Sequence, residues 1–218
     1  MIITIDGPAG SGKSTVAKII SNKMNLIHFD SGAIFRGVTA YLIDSGYNIS
    51  SITKDSDIPA IVIDMNIINN VVNIRINNLD VTPRLRDIDV SNNVAKVAVN
   101  KNIRLSIDEF QRSFAIGKNI IVDGRDTGSH VYPNADYKFY LDCDVRVRAN
   151  RRYKEEQSKN ISVDYESILE EIKKRDHLDK TREIAPLIVP DNATVIDTSN
   201  LTIDQVVEVI TSKIYTNN

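Results

Sequence analysis

Cysteine is all but missing from this chain, with Cys143 the single one. A lone thiol closes no internal disulfide and builds no thiolate metal site, so a reducing cytoplasm is the expected setting and a small buried apolar residue the expected role. Long hydrophobic runs are missing too. No stretch approaches the roughly 18 apolar residues of a membrane span, and no charged leader precedes a cleavable apolar segment; a soluble, untargeted chain with no membrane partner is the expectation. Positive charge is not in excess, the formal net charge being −2. That balance argues against a protein that coats a nucleic-acid backbone, because such affinity comes from surplus Lys and Arg. Fixed-period repeats, linkers and low-complexity tracts are absent as well.

What is present reads as one globular domain with appendages. The 218 residues, 42% apolar and 26% charged, can bury a core without staples. Ile2-Ile3-Thr4-Ile5 is short, β-branched and followed at once by Asp6-Gly7-Pro8, which predicts a buried strand ending in a glycine turn. Ser14 to Met24 places Val16, Ala17, Ile19, Ile20 and Met24 near helical spacing. Further strands are predicted at Leu26 to Phe29, Ile120 to Val122, Tyr137 to Leu141 and Thr194 to Ile196. Helices are predicted at Ser91 to Phe114, Val145 to Gln157, Tyr165 to Leu178 and Ile203 to Ile214. Strands alternating with helices imply an α/β fold whose parallel sheet is covered on both faces. Ile61 to Val81 breaks the rhythm: it clusters Ile, Val and Asn, with Asn69-Asn70 and Asn77-Asn78 as turn-like breaks, and predicts an inserted antiparallel element.

Gly7-Pro8-Ala9-Gly10-Ser11-Gly12-Lys13-Ser14 fits the phosphate-loop pattern G-x-x-x-x-G-K-S/T between a predicted strand and a predicted helix. Glycines let backbone N–H groups turn inward around anionic oxygens, the helix N-terminus adds partial positive charge, Lys13 reaches the outer phosphates and Ser14 offers a hydroxyl to Mg²⁺. Ile121-Val122-Asp123-Gly124 ends a second apolar run in an acid, which makes Asp123 a candidate partner of the Mg²⁺ shell. A guanine-reading N-K-x-D is missing. Asn100-Lys101-Asn102-Ile103 comes nearest, but Ile103 has no carboxylate, which weakens a GTPase reading.

Arginine clusters supply what a second anionic substrate requires. Arg148, Arg151 and Arg152 fall on one face of a predicted helix, and Arg175, Asp179 and Arg182 share another if that helix persists to Arg182. Bringing two anions together needs fixed cations to offset their repulsion. Asp30-Ser31-Gly32-Ala33-Ile34-Phe35-Arg36 opens a helix after the second strand, where Ser31 and Arg36 suit a monophosphate. Arg125 and Asp126 follow the third strand and can face the same cavity. A kinase for a small phosphate acceptor fits best; a P-loop module that binds nucleotide without transfer remains the rival from another class.

From Ile3 to about Ile214 the chain resembles the bacterial cytidylate kinases, relatives of adenylate kinase. The resemblance rests on Asp6 to Ser14, Asp30-Ser31-Gly32-Ala33, Asp123-Gly124-Arg125-Asp126, Arg151-Arg152, and Arg175-Asp176 followed by Ala185-Pro186-Leu187. It implies a five-stranded parallel sheet flanked by helices, a small antiparallel β insert and a helical lid. The implied core is 1–30, 86–144 and 178–218, the monophosphate-binding region 31–85, and the lid with its adjoining helix 145–177. The implied reaction is phosphorylation of CMP and dCMP by ATP, with UMP as an alternative acceptor.

The resemblance also implies roles. ATP would lie on Gly7, Gly10, Ser11, Gly12, Lys13, Ser14 and Thr15, with Arg151, and Mg²⁺ on Ser14 and Asp123. Ser31, Arg36, Arg125 and Arg182 would hold the acceptor phosphate, Arg104 and Asp126 the cytosine edge, and Arg175 and Asp179 the sugar. Lys13, Arg148, Arg152 and Arg182 would offset charge during transfer. Small-molecule nucleotides are the implied partners, and a monomer follows by analogy alone. Phe35 stands where tyrosine is usual, Leu178 where some relatives carry arginine, and Ala95 where some place a serine on the base. A missing hydroxyl contact there costs roughly 0.5–1.5 kcal/mol, enough to blunt base choice.

Overall fold

In the computed structural model, which describes residues 1–68, 71–158 and 163–216, the chain opens with β1 (Ile2–Asp6), α1 (Lys13–Met24), β2 (Ile27–Asp30) and α2 (Ser31–Asp44). Next come β3 (Ile63–Ile68), β4 (Val71–Ile76), β5 (Leu79–Asp80), α3 (Ile88–Val97) and α4 (Lys101–Ala115). The remainder is β6 (Ile120–Asp123), β7 (Tyr137–Asp142), α5 (Val145–Ser158), α6 (Tyr165–Thr181), β8 (Thr194–Asp197) and α7 (Ile203–Thr216). Two units emerge, one of Met1–Phe29 with Gly117–Asn218, the other Asp30–Ile116.

The first unit is organised by a five-stranded parallel sheet of order β2-β6-β1-β7-β8. The strand β1 lies at its centre, with Ile5 opposite Asp123 on β6 and Asp6 opposite Tyr140 on β7. Alternation along β1 sorts its side chains. Ile3 and Ile5 join Val16, Ala17 and Ile20 of α1 and Val206, Val207 and Ile210 of α7 in one core, leaving Thr4 and Asp6 for the opposite face. Removing a side chain such as Ile20 from this core would cost about 2–5 kcal/mol. A smaller cluster of Ala149, Ile168, Leu169 and Ile172 joins α5 to α6, with Tyr153 and Tyr165 packed edge to face at 6.0 Å.

The second unit contains the expected antiparallel insert. Strand β3 pairs with β4, and β4 with β5; Asn77 and Asn78 make the turn at φ 48° and 67°, left-handed values that Asn tolerates. Asn69 and Asn70, the other turn read from sequence, lie outside the described residues. Gly37 of α2 admits the insert: a Cβ there would meet Ile74 Cγ2 and Val81 Cγ2 at 3.2 Å. The long helix expected from Ser91 to Phe114 is instead two, α3 and α4. Buried Asn100 breaks it, accepting from Ile103 N–H at 3.1 Å while its amide donates to Thr53 O and Ser56 O at 2.9 and 3.0 Å. An Asn that caps α4 and ties down a distant loop cannot also continue a helix.

Candidate active site

The phosphate loop leaves β1 at Asp6 and enters α1 at Lys13. Its glycines are demanded by both conformation and space. Gly7 has φ 146° and Gly10 φ 78°, and a Cβ on Gly7 would lie 2.2 Å from Leu141 O while one on Gly10 would press on Arg148 Cβ at 3.3 Å. The Pro8 carbonyl gathers donors from within the loop, Lys13 Nζ at 2.7 Å and Ser11 Oγ at 3.1 Å. Lys13 is buried. Burial first, and then the Arg125 guanidinium, push its ammonium well below the ordinary lysine range, a cost that a polyphosphate in contact would reverse. Ser14 and Thr15 are exposed.

Asp123 closes β6 beside this loop. Its Oδ2 accepts from Ser14 Oγ at 2.5 Å and its Oδ1 lies 2.7 Å from His28 Nε2. Asp6, which closes β1, accepts from Thr127 N–H at 2.9 Å, Thr127 Oγ1 at 2.8 Å and Gly128 N–H at 2.7 Å. Burial raises the Asp6 carboxyl to about 6 against the pull of those donors.

Between Asp123 and the Thr127–Gly128 turn that Asp6 holds, the chain carries Arg125 and Asp126. Arg125 Nε donates to Asp179 Oδ2 at 2.9 Å, Arg182 Nη2 lies 3.1 Å from Asp126 Oδ2 and Arg182 Nη1 3.7 Å from Asp179 Oδ1. Burial works against the charges of this set, but their mutual attraction prevails: Arg125 is held above its ordinary value by Asp179, and Asp179 below its own by Arg125, Arg182 and Arg175. Helix α6 stops at Thr181, so Arg182 is not on its face as the helical reading required. It leaves in extended backbone at ψ 140°, and Arg182 Nε donates to the carbonyl of Ala185 at 2.5 Å. Ala185 is itself left-handed, at φ 50°.

The arginines of α5 do not form one cluster. Arg148 is buried, with Nε on Cys143 O at 2.9 Å and Nη1 on Ala9 O at 3.0 Å and Asp176 Oδ2 at 2.7 Å. Arg151 Nη2 donates to Thr198 O at 2.6 Å. Arg152 points outward, its side chain 55% exposed and paired with Glu156. Arg148 therefore seats α5 on the phosphate loop, which the helical spacing alone did not indicate.

In the second unit, Asp30 caps α2 through Ala33 N–H at 3.0 Å and takes Arg36 Nη2 at 2.6 Å. Ser31 is buried at the start of that helix. Arg104 on α4 is buried, donates from Nε to Ala98 O at 2.6 Å and lies 5.1 Å above the Phe35 ring. The Phe35 ring offers that guanidinium a stacking face.

Within the first unit the structure brings together Lys13, Ser14, Asp123, Arg125, Asp126, Arg148, Arg175, Asp179 and Arg182. Sequence reasoning gave no role to Asp6 or His28 and set Asp176 only beside the Arg175 cluster. For Asp6 a signal existed, since it ends a strand ahead of the loop just as Asp123 ends another; His28 gave none, being defined by a distant partner.

Comparison with known proteins agrees with this architecture. The family model for cytidylate kinase matches residues 3–216. The chain is 41% identical to a cytidylate kinase of Clostridioides difficile over 98% of both chains, and 39% identical to one of Fusobacterium nucleatum over 98% of this chain and 97% of that one. Among solved structures, an uncharacterized protein of Eubacterium ventriosum shares the fold at TM-score 0.55 and 14% identity, covering 98% of each chain.

Proposed function

The chain belongs to the cytidylate kinase family, and from that premise we propose how its own residues carry the reaction. It transfers the γ-phosphoryl group of ATP to CMP. A phosphate oxygen of CMP bonds to the γ-phosphorus as the bond to the β,γ-bridging oxygen breaks, leaving ADP and CDP. The acceptor phosphate is already ionised at neutral pH, so positioning and charge carry the rate without a protein nucleophile or base.

One observation carries the assignment: Arg148 ties the phosphate loop, at Ala9 O (3.0 Å), to Asp176 of α6 (2.7 Å), the same helix whose Asp179 holds Arg125 at 2.9 Å. Cations from the loop and from the Arg125 set thus converge in one unit, as transfer between two phosphates requires. ATP is assigned to the loop from Gly7 to Thr15, with Arg151, and Lys13 to its outer phosphates. Arg125 and Arg182 are assigned to the CMP phosphate, Asp126 to the cytosine edge, and Arg175 and Asp179 to the ribose or deoxyribose. The family resemblance adds Ser31, Arg36 and Arg104 as proposed contacts of the acceptor.

Mg²⁺ fits the pair of Ser14 and Asp123, whose hydroxyl and carboxylate are hard oxygen donors held together. Among the described residues no three His, Cys, Asp or Glu side chains form a cage, which suits an ion that keeps its waters and arrives with the nucleotide phosphates. Held by Ser14 and Asp123, it would supply Lewis-acid charge neutralisation to the nucleotide phosphates. Helix α5 is assigned to a lid whose closure excludes water; Arg148, held by Ala9 O and Asp176, seats that helix beside the loop, and Arg152, outward and paired with Glu156, would have to turn inward on closure to offset charge in the transition state. The single thiol suits a cytoplasmic enzyme, and no helix among the described residues is long and apolar enough to cross a membrane.

Initial rates of ADP formation with CMP, dCMP, UMP, AMP, GMP or dTMP, beside a control without acceptor, test this reading. CMP and dCMP should lead, and Ala95→Ser should widen the lead over UMP by roughly two- to tenfold, the worth of one hydrogen bond. ADP release that ignores the acceptor would mean a nucleotide-binding ATPase module.

A further inference from the structure

The mechanism leaves one fully buried carboxylate without a task. Asp6 has no exposed surface, and its burial is costly unless something depends on it. Its partners all lie in one place. After Asp126 the chain makes a five-residue π-helical turn, Thr127–Val131. The first N–H groups of such a turn have no partner within it, and Asp6 accepts those of Thr127 and Gly128 as well as the Thr127 hydroxyl.

The fit beneath the turn is close. A Cβ on Gly128 would stand 2.6 Å from Thr4 Oγ1 and 3.3 Å from Asp6 Oδ2, so only glycine lets the turn settle onto β1. The turn in turn restrains what precedes it: Asp126 O accepts from His130 N–H at 2.9 Å and Val131 N–H at 3.2 Å, and Gly124 N–H is tied to Ile5 O at 3.1 Å. Arg125 and Asp126 are therefore held from both sides, by the β1 backbone before them and by the Asp6 carboxylate after them.

We propose that Asp6 is a positioning residue for the acceptor: it clamps the Thr127–Gly128 turn so that Arg125 and Asp126 meet CMP in a fixed geometry. It touches no substrate. The proposal rests on the assignment of Arg125 and Asp126 to CMP. Because Asp6 also precedes Gly7 directly, a merely structural role would disturb the ATP loop at least as much as the acceptor side. The division of effect between the two substrates is thus the discriminating quantity.

Asp6→Asn, Thr127→Val and Arg125→Gln should be compared for KM toward CMP and toward ATP, with far-UV circular dichroism to verify folding. Asp6→Asn should raise KM for CMP by about tenfold, the equivalent of one charge-assisted hydrogen bond, with KM for ATP changed less than about twofold, within the usual scatter of surface changes. Thr127→Val, which removes one bond and spares the carboxylate, should move KM for CMP in the same direction by a smaller factor, and it decides the matter if Asp6→Asn does not fold. Equal or larger effects on ATP, or an unchanged KM for CMP in an enzyme that Arg125→Gln does impair, overturn the role of Asp6 alone. A normal KM for CMP in Arg125→Gln overturns the acceptor assignment, and the positioning role with it.

Discussion

Ser14 and Asp123 stand 109 residues apart in sequence, yet the serine hydroxyl donates to the carboxylate at 2.5 Å. The first residue pair of α1 and the tip of β6 are thereby joined at the mouth of the phosphate loop. An acid that orients a hydroxyl in this way prepares two oxygen donors for one hard cation.

Asp123→Asn should therefore raise the free Mg²⁺ concentration needed for half-maximal activity by about 10- to 100-fold. A titration of rate against Mg²⁺ at saturating ATP and CMP measures it. An unchanged midpoint would remove Asp123 from the metal shell.

Lys13→Ala removes the one cation that sits inside the loop. Lys13 donates to Pro8 O at 2.7 Å, but burial holds its ammonium well below the ordinary range, so its charge does not stabilise the resting fold. Its loss should lower kcat by about 10²–10³-fold, the usual scale for one preorganised charge donor, without lowering the unfolding midpoint in urea. Normal turnover by this variant would defeat the transfer mechanism.

The Asp6 carboxyl links stability to pH. Its value is raised from 3.8 to about 6 in the folded protein, so between these pH values the folded state binds more protons than the unfolded one. Stability from this group is full below about pH 4 and declines as pH rises through 6, by about 3 kcal/mol in all. Asp179 has the opposite sign, its lowered value adding stability above the ordinary carboxylate range that fades on acidification. Urea unfolding at several pH values, with Asp6→Asn as reference, isolates the first contribution: the difference between the two proteins should change by about that amount between pH 4 and 7, and a parallel pair of curves would refute it.

Much of the fold was legible because it is locally encoded. The β1 strand, the glycine loop and α1 follow from a β-branched run, positive-φ glycines and helical spacing, and the Ile61 to Val81 insert announced itself by strand-prone runs broken at Asn77-Asn78. The helix reading failed at Asn100, where apolar periodicity continues across a residue that caps α4 and binds the 53–56 loop. It failed again at Arg182, where α6 ends one residue short of it; spacing measures faces but not the contacts that stop a helix.

The sequence by itself determined the phosphate loop, the parallel α/β arrangement and the residue types of the site, since each depends on neighbours a few positions away. Only the tertiary structure decided the pairings: Asp6 under the Thr127 turn, Ser14 against Asp123, Arg125 on Asp179, and Arg148 against the loop and away from Arg152. These join residues between about fifty and more than a hundred positions apart. No local pattern constrains them, because each is set by which strand ends, loops and helices the fold places side by side.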